Sequence, residues 1–454
     1  MSYSTIYKSQ FENGNRIDAE FYEPHFLKII DQIISRKHDQ IGGIAIVRSG
    51  TTPIDRDDEL VNGPILLKTT DIRNNILSKH GDYYHISQAI HNRMSSTQLK
   101  YGDILINIVG ATLDVVGRVG YITNNFPTAN ITQAMALIRI INKIYLPEYI
   151  YILLLTKYGK IQFNRLARPT GQFNLNLQEI KQILLPEISP SNQQEIANLV
   201  LESQKNQDYS YEQYRIAETF LLKELGLSNF EQNKVYSQSI HLSNLQSVNR
   251  IDADYFQPKY NQLISKLGNV KKLSEYVKRI SSNSSIIADK EYQYTEISDV
   301  DVSNGDVIWN PILGKVLPAN AKITIRGGEL LVSKVRPTRG AIATFPENIQ
   351  ENHIVSGAFS IFKVPSPTRE YLQVVLRSII GKTQLERPTT GTSYPTITDQ
   401  DVENVLIPDL PISIQQKISE LIKESKVARQ KSKELLEQAK KTVEEMIEKR
   451  GDNI

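Results

Sequence analysis

The sequence predicts an α+β protein: two similar domains of short mixed strands and helices, separated by two long helices that form an antiparallel coiled coil. Three observations lead to this prediction. The chain has 454 residues, which at roughly 150 residues per domain suggests about three folding units. Its two halves resemble each other, which indicates an internal repeat, and antiparallel packing of their long helices would place a pseudo-twofold axis between them. Each half also ends in a long heptad pattern.

The internal duplication is visible from the first residues of each half. Arg16–Pro24 recurs as Arg250–Pro258, with conservative changes apart from Glu23, which becomes Gln257. Further matches are separated by a constant 222 residues, namely Glu148-Tyr149 with Glu370-Tyr371, Gly159-Lys160 with Gly381-Lys382, Pro186 with Pro408, and Gln193-Gln194 with Gln415-Gln416. A constant separation over this length indicates a tandem repeat.

Each half contains short β-rich runs broken by Gly, Asn and Pro, followed by a helical stretch. The predicted strands are Ile44–Val47, Ile65–Leu67, Ile104–Ile108 and Ala134–Ile141 in the first half, and Glu329–Val332 and Phe359–Val364 in the second. The predicted helices are Pro147–Lys160 and Thr368–Lys382. An Arg-Pro-Thr loop follows each helix, at Arg168–Thr170 and Arg387–Thr389, and the closing strands are Ile183–Pro186 and Val405–Pro408.

Long helices are predicted at 191–225 and 412–449. A period of 3.5 residues places one seam along each helix, so the seam requires a partner helix. The seam residues are Ile196, Leu199, Ser203, Ser210, Ala217 and Phe220 in the first helix, and Ile418, Leu421, Ser425, Ser432 and Ala439 in the second. The alternative is that each helix packs only on its own domain. The predicted boundaries are 1–190 and 241–410 for the two domains, 191–240 for the central helix and linker, and 411–454 for the last helix.

Composition excludes several classes of protein. The chain contains no cysteine, which excludes disulfides and thiolate metal sites and fits a reducing cytoplasm. The start of the chain lacks the features of a signal peptide, and the most apolar run, Ile150–Leu155, is far shorter than the roughly 20 residues of a membrane span. We therefore expect a soluble, cytoplasmic protein. The net charge of +3 is too small to indicate a nucleic-acid partner by itself.

No catalytic motif is recognisable in the sequence. None of the Gly-Lys pairs has the upstream glycine of a P-loop. An amino-methyltransferase loop requires a Pro-Pro pair, and the chain has none. His80, His85 and His91 are spaced five and six apart, which resembles no zinc site. We therefore expect no catalytic residue, no metal site and no cofactor in this chain.

The duplicated halves, each with a Pro-x6-Gln-Gln-x-Ile run that begins its long helix, resemble the specificity (S) subunit of type I restriction-modification systems. The resemblance covers nearly the whole chain. Its motifs are Ser49–Pro53, Lys68–Ile72, Gly102–Ile106 and Gly117–Val119 in the first half, and Tyr294–Asp299, Gly328–Val332 and Lys334–Pro337 in the second.

The resemblance implies a non-catalytic subunit with two target-recognition domains, each reading one half of an asymmetric bipartite site in double-stranded DNA. The long helices would dock two methyltransferase (modification) subunits, and restriction/translocase subunits would join the full complex. S-adenosylmethionine, ATP and Mg²⁺ would bind to those partners. A helix of about 35 residues spans roughly 50 Å, so the two readers lie at most about 15 base pairs apart. The alternative is the specificity subunit of a type IIB/IIG-like restriction enzyme or of another defence system.

Basic and polar residues in the loops are the candidate DNA contacts, because duplex recognition combines phosphate contacts with hydrogen bonds to base edges. In the first half they are Arg48, Thr51, Lys68, Thr70, Arg73, Arg118, Arg168, Thr170 and Gln172. In the second they are Arg326, Lys334, Arg336, Arg339, Arg387, Thr389, Thr392 and Tyr394. Packing or solvent-facing roles are the alternative for each.

Overall fold

The computed structural model describes residues 5–7, 16–169, 171–231, 235, 237, 239–248, 250–281, 285–349, 352–391 and 393–449. The chain divides into two compact units. Unit 1 comprises residues 1–208 together with 428–454, and unit 2 comprises residues 209–427. Both units mix short strands and helices, which confirms the predicted α+β class. No helix in the described ranges is long and apolar enough to span a membrane.

Unit 1 contains a five-stranded sheet with helices against one face. Its helices are α1 (Pro24–Ile34), α2 (Ile41–Ile44), α3 (Gln88–Arg93), α4 (Pro147–Leu155), α5 (Lys157–Leu166), α6 (Leu177–Lys181) and the first part of α7 (Pro190–Glu224). Its strands are β1 (His38–Gln40), β2 (Ala45–Ser49), β3 (Ile65–Leu67), β4 (Asn75–Ile76), β5 (Ile104–Asn107), β6 (Val109–Gly110), β7 (Val119–Tyr121), β8 (Ala129–Ile131), β9 (Met135–Ile140), β10 (Arg168–Pro169), β11 (Phe173–Asn174) and β12 (Leu184–Pro186). The sheet order is β2-β9-β5-β7-β4, and β3 pairs with β8, β1 with β12, and β11 with both β10 and β6.

Unit 2 repeats the central part of this arrangement. Its helices are α8 (Leu242–Val248), α9 (Pro258–Ile264), α10 (Thr368–Arg377), α11 (Ile379–Glu386), α12 (Asp399–Glu403) and the first part of α13 (Ile412–Glu448). Its strands are β13 (Val270–Lys272), β14 (Lys278–Arg279), β15 (Glu291–Thr295), β16 (Asn310–Leu313), β17 (Ala321–Ile325), β18 (Glu329–Ser333), β19 (Ile342–Thr344), β20 (His353–Ser356), β21 (Phe359–Lys363) and β22 (Leu406–Pro408). The order β14-β21-β18-β19 matches β2-β9-β5-β7, β13 pairs with β22, and a second sheet has the order β16-β15-β20-β17.

The central strand of each unit is buried on both faces. In β5, Ile104 and Ile106 pack with the helices while Leu105 packs with β3 and β8. In β18, Leu330 and Val332 face the helices, and Leu331 belongs to the core on the opposite side. Alternate side chains of a strand point to opposite faces, so a strand covered on both sides has a continuous apolar sequence.

The predictions of single helices at Pro147–Lys160 and Thr368–Lys382 are wrong in one respect, because each stretch contains two helices. Thr156 separates α4 from α5, and Ser378 separates α10 from α11, both with extended backbone. A Cβ on Gly159 would lie 2.4 Å from the Leu154 Cα, and one on Gly381 would lie 2.3 Å from the Leu376 Cα. The repeated glycine therefore allows the second helix to turn back tightly against the end of the first.

The two Arg-Pro-Thr segments occupy different positions in the structural repeat. Arg165 donates from Nε to the Phe21 carbonyl at 3.0 Å and lies over the Phe21 ring. Arg387 donates in the same way to the Tyr255 carbonyl at 3.3 Å and lies over the Tyr255 ring. Arg387 therefore corresponds to Arg165, and Arg168 corresponds to a later residue, Thr390, since each pairs with the returning strand of a hairpin.

The repeated segment at the start of each half explains why these arginines recur. Arg16 forms an ion pair with Asp18, and Arg250 forms one with Asp252. These hydrogen bonds from the guanidinium groups lower the pKa of both carboxyl groups. Arg16 also donates to the Leu166 carbonyl at 3.0 Å, and Arg250 donates to the equivalent Pro388 carbonyl at 3.0 Å. The motif thus fixes the start of each domain to the end of its second short helix.

The two long helices contribute to the core of each unit and pair antiparallel within it. In unit 1, the Ser203 hydroxyl contacts the Ser432 hydroxyl at 2.8 Å. In unit 2, the Ser210 hydroxyl contacts the Ser425 hydroxyl at 3.0 Å. From the first serine pair to the second, the residue number increases along α7 and decreases along α13. The predicted antiparallel pairing is therefore confirmed. The observed ends of both helices lie within one residue of the predicted ends.

Candidate nucleic-acid interface

A hairpin that is hydrogen-bonded to the chain just after the central strand, β18, defines the candidate interface of unit 2. Thr390 and Thr396 exchange two backbone hydrogen bonds, of 3.0 and 2.9 Å, and so close the hairpin. The Ile397 N–H donates to the Lys334 carbonyl at 2.9 Å, and the Arg336 N–H donates to the Pro395 carbonyl at 2.7 Å. Backbone hydrogen bonds to the hairpin therefore fix the segment that follows β18.

Arg336 and Tyr394 meet at this junction. The guanidinium carbon of Arg336 lies 4.5 Å from the centre of the Tyr394 ring. The Arg336 Nη2 donates to the Ser393 carbonyl at 3.0 Å. Tyr394 is 67% exposed, so this stacked pair lies at the surface. Tyr394 and Arg336 were both predicted from the sequence, and the structure brings them together.

Asp399 holds Lys334 beside this pair. Its carboxylate accepts from Lys334 at 3.1 Å, from Arg279 at 2.9 Å and from the Ser360 hydroxyl at 2.6 Å. Although partial burial opposes the shift, the hydrogen bonds from Ser360 and Lys334 lower the pKa of Asp399. Asp399 therefore pairs with two cations, and it fixes the position of the Lys334 ammonium.

The other predicted residues of unit 2 are more dispersed. Arg326 and Arg339 are exposed. Thr389 donates its hydroxyl to the Glu386 carbonyl at 2.7 Å at the end of α11, and Arg387 packs between the rings of Tyr255 and Tyr260. These contacts give Arg387 a packing role. Thr392 lies outside the described residues.

Unit 1 has the same hairpin, with different side chains. Arg168 pairs with Asn174, and Phe173 pairs with Gly110 of β6. Gly110 occupies the position of Arg336, because both follow the central strand and pair with the hairpin. Gln172 is exposed at the position of Tyr394. The Arg168 side chain forms an ion pair of 2.5 Å with the buried Glu179. Thr170 lies outside the described residues.

Further predicted residues of unit 1 lie on the loop after β3. The Lys68 ammonium lies 3.7 Å from the centre of the Tyr84 ring, and Arg73 donates to the Thr70 carbonyl at 3.2 Å. Both basic side chains are exposed. Sequence reasoning missed Tyr84, because one tyrosine in a polar loop carries no pattern that pairs it with a particular lysine.

The remaining predicted residues of unit 1 form their contacts elsewhere in the unit. Arg48 donates to the Ser96 carbonyl at 3.4 Å, and Arg118 donates to the Asp114 carbonyl at 2.9 Å. The Thr51 N–H donates to the Ile131 carbonyl at 3.2 Å, which anchors the start of its loop. The neighbouring Gly50 has no room for a side chain, because a Cβ there would lie 2.0 Å from the same carbonyl oxygen.

The seam residues line the contact between the long helices. Nine of the predicted residues are buried: Ile196, Ser203, Ser210, Ala217, Ile418, Leu421, Ser425, Ser432 and Ala439. Leu199 and Phe220 are half-buried. Ser432 also accepts, through its carbonyl, a 2.9 Å hydrogen bond from the Ser203 hydroxyl. Small residues here allow the backbones to approach closely, and their hydroxyls satisfy one another.

The described residues contain no group of three or more His, Cys, Asp or Glu side chains that could hold a metal ion. The expected absence of cofactors in this chain stays a prediction.

Residues 37–207 match the family of the type I restriction modification DNA specificity domain. The chain is similar to the S subunit of a type I restriction-modification system from M. genitalium, at 12% identity and a TM-score of 0.38, over 92% of this chain and 96% of that one. For the HsdS subunit from Thermoanaerobacter tengcongensis the identity is 13% and the TM-score 0.30, over 92% and 97% of the two chains. For the type IIG restriction endonuclease BpuSI the identity is 9% and the TM-score 0.31, over 40% of this chain and 28% of that one. No curated protein sequence matches the chain.

Proposed function

Because residues 37–207 match the family of the type I restriction modification DNA specificity domain, we propose that the whole chain is the DNA specificity subunit of a type I restriction-modification complex. Each unit reads one half of an asymmetric bipartite site in double-stranded DNA. The chain supplies sequence recognition, and its partners supply the chemistry.

One observation carries this proposal: the two units present different side chains on the same hairpin frame. Gly110 and Gln172 in unit 1 stand where unit 2 has Arg336 and Tyr394. A repeated backbone with different exposed residues is what two readers of different half-sites require, since base edges are distinguished by the hydrogen-bonding groups presented to them.

The paired long helices support the second part of the proposal. In this proposal α7 and α13 carry the two readers, and the bases between the half-sites are not read. Two methyltransferase subunits dock on these helices, and restriction/translocase subunits complete the assembly. S-adenosylmethionine, ATP and Mg²⁺ bind to those partners, and the complex acts in the cytoplasm.

The test compares the purified chain with the chain co-expressed with its modification subunits. Each sample is incubated with S-adenosylmethionine and duplexes of random sequence, and methylated bases are mapped. We expect the complex to methylate a bipartite motif and the isolated chain to leave all duplexes unmodified. Methylation by the isolated chain, or a complex without any sequence preference, would contradict the proposal.

A further inference from the structure

Arg336 has a backbone conformation that its residue type disfavours. Its φ is 48°, and the other described residues with positive φ, glycines apart, are Asn74 and Asn352. Asparagine tolerates this left-handed region, whereas a long charged side chain has no local compensation there. Such strain persists only where the surroundings impose it, and it concentrates at functional sites.

The surroundings that impose it are one backbone hydrogen bond to the hairpin and one from the turn that follows Arg336. The Arg336 N–H donates to the Pro395 carbonyl at 2.7 Å, and its carbonyl accepts from the Arg339 N–H at 3.0 Å. Both sides of the residue are therefore fixed. A glycine would adopt this conformation without strain, so the arginine side chain is present at an energetic cost to the fold.

The side chain is also fixed, and at the surface. Tyr394 covers one face of the guanidinium, and the Ser393 carbonyl accepts one of its N–H groups. The remaining N–H groups keep the planar geometry that matches two acceptors at once. In the major groove, guanine offers such a pair in O6 and N7, and a bidentate arginine is its commonest specific contact.

We propose that Arg336 reads a guanine in the half-site bound by unit 2, and that Tyr394 positions its guanidinium. The inference rests on the proposed function and names the residue that sets one base of the motif. The contact has no counterpart in unit 1, where a Cβ on Gly110 would already lie 2.7 Å from the Val115 side chain. Only the second half-site therefore depends on it.

The test uses the complex of the full chain with its modification subunits and a duplex library randomised in both half-sites. Arg336→Gly is the main variant, because glycine accepts the backbone conformation and removes only the side chain. We expect the unaltered complex to prefer guanine over the other bases at one position by about 5- to 150-fold. Arg336→Gly should abolish that preference and leave every other position of the motif unchanged.

Three further variants separate base reading from charge and packing. Arg336→Lys keeps the charge without the planar donor pair, so it should also lose the preference. Tyr394→Ala should weaken the preference and Tyr394→Phe should restore it, because the ring alone supports the guanidinium. Arg339→Ala, at an exposed neighbouring position, should lower affinity for all sequences alike.

Two results would overturn the inference while the proposed function stands. In one, Arg336→Gly leaves the bipartite motif unchanged and lowers the affinity for all DNA sequences equally. That result would make Arg336 a phosphate contact. The other is a half-site without guanine at the affected position. A complex with no bipartite motif at all would overturn both the inference and the proposed function.

Discussion

The contacts of single residues explain why certain residues recur in both halves of the chain. Gly159 and Gly381 recur because the chain folds one short helix back on the previous one at these positions, where any side chain would collide with backbone atoms. Tyr149 and Tyr371 recur because each hydroxyl donates to the carbonyl of the repeated proline, Pro186 at 2.5 Å and Pro408 at 2.6 Å. The repeat therefore preserves packing contacts, and we propose that DNA is read by residues that differ between the halves.

Gly159→Ala tests the first of these statements. The added methyl group would lie 2.4 Å from the Leu154 Cα and carbonyl oxygen, so α4 and α5 must separate, at a cost of about 1–3 kcal/mol in the free energy of unfolding. Urea unfolding followed by circular dichroism measures the loss. Gly43→Ala is the matched control, because nothing lies within 4 Å of its Cβ position and alanine suits a helix better than glycine, so it should not lower the midpoint. Equal midpoints for the two variants would contradict the packing role.

Arg387 shows how a sequence motif can mislead. Its Arg-Pro-Thr neighbours suggested a partner in Arg168, yet its contacts with Tyr255 are those of Arg165 with Phe21. The repeat separation of 222 residues that joins Glu148 to Glu370 also joins Arg165 to Arg387. That separation, followed through the loop, would have identified the correct pair without a structure.

Arg387→Ala should therefore lower stability without changing the DNA motif. It removes a hydrogen bond to the Tyr255 carbonyl and the contacts with two rings, which together are worth about 1–2 kcal/mol. Trp309 is the single tryptophan of the chain and lies in unit 2, stacked on Phe345, so its fluorescence follows the unfolding of this unit in urea. Exposed Arg339→Ala is the control. A changed DNA motif with unchanged stability would indicate instead that Arg387 contacts DNA.

At the scale of elements, the long helices were the most predictable part of the fold. A heptad pattern fixes which face of a helix is buried, and small residues at matching positions indicated a close partner. The strands with apolar runs, such as β3 and β18, were also predictable. The strands β1 and β13 were missed, because His38–Gln40 and Val270–Lys272 are largely polar and pair at the edge with β12 and β22.

The helix pair gives a prediction at this scale. A Ser210→Leu, Ser432→Leu double variant adds bulk to one serine pair in each unit, because Ser210 faces Ser425 and Ser432 faces Ser203. Overpacking costs about 1–3 kcal/mol per site, so the helices should separate and capture of the modification subunits should weaken. Size-exclusion chromatography with light scattering on co-expressed subunits measures the assembly.

The control for the serine variant is Lys205→Leu, Gln438→Leu, at exposed positions of the same two helices. It adds the same side chain outside the seam and should assemble normally. Normal assembly of the serine variant would mean that close approach of the helices is not needed for partner docking.

For the molecule as a whole, the duplication was readable from the sequence, and the details of the interface were not. Basic residues could be collected from the loops, but their separation into packing, ion-paired and exposed groups depends on contacts distant in sequence. Arg168 with Glu179 and Lys334 with Asp399 are two such contacts. The left-handed backbone of Arg336 is likewise imposed by a hairpin about 60 residues later, which no local pattern reveals.

We propose that two independent readers share the pair of long helices. Methylome sequencing tests this directly in a strain in which residues 241–410 have been exchanged for the equivalent domain of a related protein, with both long helices left in place. We predict that one half of the methylated motif changes, while the other half and the gap stay the same. A change in both halves, or in the gap, would contradict it.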